Sequence, residues 1–241
     1  MTSDILDSVN KEFDKSIDLQ GHKRLYPSLT DPSWLILRRR RELFRKWIER
    51  DDRRDLAVLD IGGRIQPYRE LLEGRIGSYT AIDLLETSLV DIVARGEQIP
   101  LRAEQYDLVM CTQTLQYASD PALVVGEIYR VLKPDGLLLL SVPATAIRDA
   151  DEEAWRFFPA TLGKLLGQFR KIEILPEGGS VIGLFRTINM GLGIIVRYHF
   201  LRAIYLWTVC PIVNLLGYTI DKCVPSDNEQ FTANYSVWAM K

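Results

Sequence analysis

Asp60-Ile61-Gly62-Gly63 and Asp83 are the residues of this chain whose types and spacing point to chemistry. The first four follow the apolar run Leu56-Ala57-Val58-Leu59, and Asp83 ends a second run, Tyr79-Thr80-Ala81-Ile82. An apolar, β-branched run that ends in an acid reads as a buried strand leaving the carboxyl edge of a parallel sheet. Glycines just beyond it let a bulky ligand approach the backbone without meeting a Cβ. An acid at the tip of the next strand, about 20 residues on, can accept hydrogen bonds from ribose hydroxyls. Such a pairing suits a nucleoside, and it equally describes an ordinary βα turn. It is not the dinucleotide fingerprint. Gly62-Gly63-Arg64-Ile65-Gln66-Pro67 lacks the spaced third glycine, and Pro67 argues against a helix running on from Arg64.

The elements that must position these residues alternate in type. Residues 1–30 are weakly periodic and read as an N-terminal arm that either covers the ligand or packs loosely. Asp31-Pro32-Ser33 opens a helix to about Arg50, in which the run Arg38 to Arg41 reads as a solvated face, or as a meeting point for anionic lipid or phosphate. Ser88 to Arg95 reads as a short helix or turn, and Tyr106 to Cys111 as a third strand. Asp120-Pro121 opens a helix carrying Leu123, Val124, Ile128, Val131 and Leu132 at helical spacing, closed by the turn Lys133-Pro134-Asp135-Gly136. Strands follow at Leu137 to Val142, Lys171 to Leu175 and Tyr235 to Met240, with a helix from Pro159 to Phe169. The alternation predicts an α/β sheet with helices on both faces.

Composition sets the limits. With 241 residues, 47% of them apolar, the chain can bury a full core, and a net charge of −2 gives no case for nucleic acid. Cys111, Cys210 and Cys223 form neither a metal-ligand cluster nor a disulfide framework and suit a reducing compartment. The polar start, Met1-Thr2-Ser3-Asp4, is no secretory signal, so the expected location is cytoplasmic.

Taken in order, these motifs are similar to those of the class I S-adenosylmethionine-dependent methyltransferases, in the branch called type 11. Val58 to Gly63 resembles the family's first motif, and Asp83 its ribose-binding acid. Gly96-Glu97-Gln98-Ile99-Pro100 resembles its adenine-contacting segment. Tyr106-Asp107-Leu108-Val109 and Leu132 to Gly136 match two further motifs. The resemblance implies a Rossmann-like sheet, mostly parallel with an antiparallel last strand, and S-adenosylmethionine as cofactor. It implies Asp60, Gly62, Gly63, Asp83, Gly96, Glu97 and Cys111 as the cofactor-binding residues, and no metal. Arg64 and Gln66 depart from it where glycine is common, Arg95 where an acid is usual, and Tyr117 where histidine is frequent.

Methyl transfer asks the protein chiefly for alignment, and for a base only if the acceptor must lose a proton. His22, His199, Asp149 and Tyr117 are the candidate bases, each with an equally good structural reading, so no catalytic residue is assigned. The domain plan is an arm and cap helix over 1–55 and a methyltransferase domain over 56–241, with an insertion at 178–225. Between Ala203 and Ile220 that insertion has no charged residue, whereas Arg186, Arg197, Arg202 and Lys222 outnumber Asp221 around it. It reads as an elaborated core or homodimer face, as peripheral contact with a membrane's inner face through 181–222, or as a span. Glu177 to Ser180 and Gln230 to Tyr235 resemble pieces of methyltransferases of bacterial surface-glycan biosynthesis. That implies a sugar hydroxyl, free or on a lipid-linked glycan, as the acceptor. The competing reading is a non-catalytic domain that binds a membrane or a partner.

Overall fold

A computed structural model describes residues 16–145, 154–196, 198–224 and 228–241. Seven strands form one sheet: β1 (Leu56–Ile61), β2 (Ile76–Asp83), β3 (Ile92–Val93), β4 (Tyr106–Thr112), β5 (Leu132–Pro143), β6 (Lys171–Pro176) and β7 (Asn234–Met240). Their order across the sheet is β3-β2-β1-β4-β5-β7-β6. All neighbours are parallel except β7, which runs antiparallel to both β5 and β6. This is the α/β sheet the alternation predicts. The order reverses between β1 and β4, and open α/β sheets bind ligands at the carboxyl edge of such a switch point.

Pleating sorts the strand side chains into two cores. Leu59 and Ile61 of β1, Val109 and Cys111 of β4, and Leu138 and Leu140 of β5 face α3 (Pro121–Val131) and α4 (Pro159–Leu165). Val58, Leu108, Met110, Leu137 and Leu139 face the other way, onto Leu43, Phe44, Trp47 and Ile48 of α2 (Trp34–Glu49). Asp120 starts α3 as expected: its Oδ1 accepts from the Ala122 N–H at 2.8 Å, with Pro121 in the first turn. The last helices, α5 (Ser180–Ile195) and α6 (His199–Cys223), form a hairpin between β6 and β7.

Four expectations are corrected. Residues 16–25 are helical (α1), and Ile17 and Leu25 are buried, so the described part of the arm is packed rather than loose. The segment 88–95 contributes the short edge strand β3, paired to Ile82 and Asp83, rather than a helix. Lys133 to Gly136 lies within β5 as an irregularity, with Tyr106 paired to Leu132 and Leu108 to Leu137. In the basic run of α2, Arg40 is 2% exposed rather than solvated. It stands four residues from both Ile36 and Phe44, which places it on the buried stripe.

Candidate cofactor site at the carboxyl edge of the sheet

The site begins where β1 ends. Asp60 pairs in register with Ala81 of β2 and Met110 of β4, so its carboxylate is held at the switch point. It is 2% exposed and accepts a hydrogen bond from Tyr79 Oη at 2.8 Å. Burial pushes its pKa up from 3.8 to about 6, with the Tyr79 bond opposing and the nearby Asp83 charge adding. Tyr79 is in turn held by Arg69, whose guanidinium lies 4.7 Å from the ring centroid.

The glycine pair turns the chain back onto β2, where the N–H groups of Gly62 and Gly63 donate to the Ile82 carbonyl at 2.8 and 3.1 Å. Gly62 has φ +80°, and a Cβ there would stand 1.9 Å from Thr114 Oγ1. A Cβ on Gly63 would stand 2.9 Å from the Asp60 carbonyl oxygen. The protein's own packing therefore already requires both glycines, an account of them that does not depend on a ligand. Thr114 is the partner that sequence reasoning missed. It lies past β4, its Oγ1 donates toward the Ile61 and Thr112 carbonyls at 3.2 Å each, and it ties the two switch-point loops together.

Beyond the glycines the loop is braced from both sides. Gln66 adopts φ +39°, a conformation natural to glycine, and its amide crosses to the Leu89 carbonyl at 2.6 Å. Thr87 Oγ1 donates to the Arg64 carbonyl at 3.1 Å. The Gln66 side chain thus joins the loops after β1 and β2. On the outer side α1 lies directly on this loop, since a Cβ on Gly21 would be 2.4 Å from the Ile65 carbonyl oxygen. Asp83, at the tip of β2, is half-buried. Its Oδ1 accepts from the Leu85 N–H at 2.9 Å, and no donor among the described residues reaches Oδ2.

The remaining sequence candidates are placed differently. Gly96 packs against the end of β1, its Cβ position 3.4 Å from Ile61 Cγ2 and 3.3 Å from Val124 Cγ1. Glu97 is engaged with protein: its Oε1 accepts from both the backbone N–H and the hydroxyl of Ser119, at 2.8 and 2.9 Å. Cys111 is fully buried among the α3-side core residues, so its side chain belongs to the core and not to a binding surface. Burial, with the Asp60 charge adding, pushes its thiol up to about 12. Of the candidate bases, Tyr117 follows β4 and is 42% exposed at this edge. His22 is exposed on α1 beside Tyr26, His199 is exposed at the start of α6, and Asp149 lies outside the described residues.

A second, fully buried polar cluster adjoins the same edge. Arg40 of α2 binds Glu177, just after β6, through two bonds of 2.8 Å. Glu177 Oε1 also accepts from Ser141 at 2.5 Å and Ser236 at 2.7 Å, and Arg40 reaches Tyr68 Oη at 3.2 Å. Burial alone would lower the Arg40 pKa; the Glu177 carboxylate and Tyr68 outweigh it and hold the guanidinium above its ordinary value. The cluster fastens α2 to β5, β6 and β7. With both charges paired and no opening to solvent, it is a fastening rather than a ligand pocket.

Does this edge fit a sulfonium nucleoside? Asp60 and Asp83 lie close enough for repulsion, and neither is ion-paired among the described residues. Such a pair suits a ligand that brings positive charge and hydroxyl donors.

Residues 59–140 match a protein family described as Methyltransferase domain. The chain is 35% identical over 115 residues to the ubiquinone biosynthesis O-methyltransferase of Pseudomonas aeruginosa strain LESB58, covering 39% of this chain and 48% of that protein. It is 29% identical over 114 residues to the malonyl-[acyl-carrier protein] O-methyltransferase of Alcanivorax borkumensis, covering 41% and 39%. The chain thus spans less than half the length of these curated relatives. A crystal structure of a SAM-dependent methyltransferase from Archaeoglobus fulgidus superposes with a TM-score of 0.52 at 16% identity, over 83% of this chain and 94% of that one. At that identity the likeness concerns the fold, which is the Rossmann-like sheet expected from the sequence.

Proposed function

We propose that the protein is an S-adenosylmethionine-dependent methyltransferase acting on a hydroxyl acceptor. The observation that carries this reading is the Asp60–Asp83 pair at the switch point, inside the segment that matches the methyltransferase domain. Bound there, the cofactor supplies a methyl group already activated on sulfur. The chain's own work is positional. Asp83 Oδ2 is the acceptor for ribose hydroxyls, and Asp60 offsets the ligand's positive charge. The braced 62–68 loop, with α1 against it, excludes water from one side. Tyr117 borders the same edge and is the side chain best placed to meet an acceptor.

Oxygen as the accepting atom draws support from the curated relatives, whose names specify O-methyl transfer in ubiquinone biosynthesis and on malonyl-[acyl-carrier protein], the latter offering a carboxylate rather than a hydroxyl. The glycan expectation rests on residues 177–180 and 230–235. In the structure these two pieces are joined: Ser180 Oγ accepts from the Phe231 N–H at 3.0 Å, and Thr232 Oγ1 donates to the Gly178 carbonyl at 3.1 Å. They form the foot of the hairpin, and Glu177 is committed to Arg40. On that sequence resemblance alone, a hydroxyl of a sugar or lipid-linked glycan is the acceptor to be tried first, with apolar small-molecule acceptors beside it.

The test is calorimetric titration of the folded protein with S-adenosylmethionine, alongside Asp83→Ala. Micromolar binding that the variant loses supports the site. Absence of binding by the intact protein moves the reading to a non-catalytic module. Incorporation of labelled methyl into saccharide or apolar acceptors then separates the acceptor classes.

A further inference from the structure

The hairpin of α5 and α6 is built inside out. Fifteen of the 25 exposed large apolar side chains among the described residues fall between Leu184 and Val224. Near its tip Ile195, Tyr198 and Phe200 are each 75% exposed, and Trp207 is 76% exposed. Asn189, Tyr205 and Asn214 face inward instead. Asn214, fully buried, accepts from Asn189 Nδ2 at 2.9 Å and donates to the Leu29 and Asp31 carbonyls at 2.8 and 2.9 Å. Tyr205 Oη donates to the Asn189 carbonyl at 2.7 Å. The inward stripe of α6 is Tyr205, Cys210, Asn214 and Gly217, and a Cβ on Gly217 would meet Phe185 Cβ at 2.7 Å. Helices meeting through small and hydrogen-bonded polar residues, with apolar side chains outward, follow the pattern of helices packed in lipid. A helix on a water-exposed surface shows the reverse.

We propose that this hairpin inserts into an anionic lipid bilayer as a monotopic anchor. Three observations favour lipid over a second copy of the chain. First, the exposed residues of α6 flank its buried stripe on both sides, so no single flat partner face would cover them. Second, the uncharged stretch Ala203 to Ile220 has 18 residues, about 27 Å of helix, close to the thickness of a hydrocarbon core. Third, leaving aside the buried Arg186, basic residues outnumber acidic ones in the hairpin sequence, with Arg197 and Arg202 by the tip and Lys222 at the base against Asp221. The topology sets the geometry. Pro176 at the end of β6 pairs with Tyr235 near the start of β7, so the hairpin leaves and rejoins the sheet at one edge and does not cross. That edge is also the carboxyl edge of β1, β2, β4 and β5, so an inserted hairpin turns the candidate site toward the membrane surface. The inference stands on the hairpin alone and does not depend on methyl transfer.

Vesicle flotation of the full chain tests it, using phosphatidylcholine vesicles with and without phosphatidylglycerol, at low and 1 M salt. We expect flotation strengthened by phosphatidylglycerol and retained at high salt. Trp207 emission should shift to the blue and be quenched by bromine-labelled acyl chains, and Trp207→Phe should lose that quenching. Ile195→Glu/Phe200→Glu changes two exposed residues and should lower vesicle binding at least tenfold, with circular dichroism and S-adenosylmethionine titration unchanged. Binding abolished by salt, with Trp207 unquenched, would overturn insertion in favour of surface attraction. No flotation, together with a dimer that the double variant makes monomeric, would assign the surface to a second copy. Failure of cofactor binding in the same preparation would touch only the methyl-transfer reading.

Discussion

Asp60→Asn should change how stability depends on pH, because the native fold buries this carboxylate with no cation paired to it among the described residues. Its pKa rises from 3.8 to about 6 on folding, chiefly through desolvation. Between those values the native state binds a proton that the unfolded chain has released. The associated stability is therefore fully present below pH 3.8 and is lost as pH rises through about 6. At about 1.4 kcal/mol per unit, the loss comes to about 3 kcal/mol. Asn copies the protonated acid and keeps an oxygen for Tyr79 Oη, so the variant should escape that loss. Urea unfolding of both proteins at pH 4, 5, 6 and 7 isolates the effect, since the other titrating groups cancel in the difference. The two should be nearly equal at pH 4, and the variant more stable by about 3 kcal/mol at pH 7. A cationic ligand bound at this edge should narrow that gap by favouring the ionised form. A flat difference across the range would refute the reasoning, because Asp60 would then ionise alike in both states. A wild type that gained on the variant with rising pH would mean that a cation pairs Asp60 after all.

Two further expectations concern the buried charges and thiols. Arg40→Met strands Glu177 in the core and should cost about 3–5 kcal/mol in urea unfolding, most of which Arg40→Met/Glu177→Leu should restore; a single variant within 1 kcal/mol of wild type would refute the role of the pair. Titration with a chromogenic disulfide should find one fast thiol per chain, Cys223, because Cys111 and Cys210 are fully buried and the Cys111 pKa is raised as well. A fast Cys111 would mean that the sheet edge opens far more than the structure shows.

Local pattern was enough for the strands and for the two acids. Apolar runs of four or five residues bounded by turn residues suit strands buried on both faces of a sheet, so β1, β2, β4 and β5 and the positions of Asp60 and Asp83 at their carboxyl edge were legible in sequence. The capped start of α3 was legible for the same reason, because Asp120 and Pro121 act on backbone groups within one turn. What stayed hidden depends on partners distant in the chain. Nothing near Arg40 reveals that Glu177, 137 residues away, will share its burial, although its place on the stripe with Ile36 and Phe44 was a signal. Nothing near Glu97 reveals that one of its oxygens will meet Ser119, and Thr114 looks incidental until it meets Gly62. Strand β3 has only two residues, too few to carry a period. The hairpin shows the division most clearly. An uncharged run states that a segment avoids charge, but only the tertiary arrangement decides which side of it is turned outward. Here Asn189, Tyr205 and Asn214 satisfy one another and the backbone of 29–31 inside, which leaves the apolar side chains to face whatever surrounds the molecule.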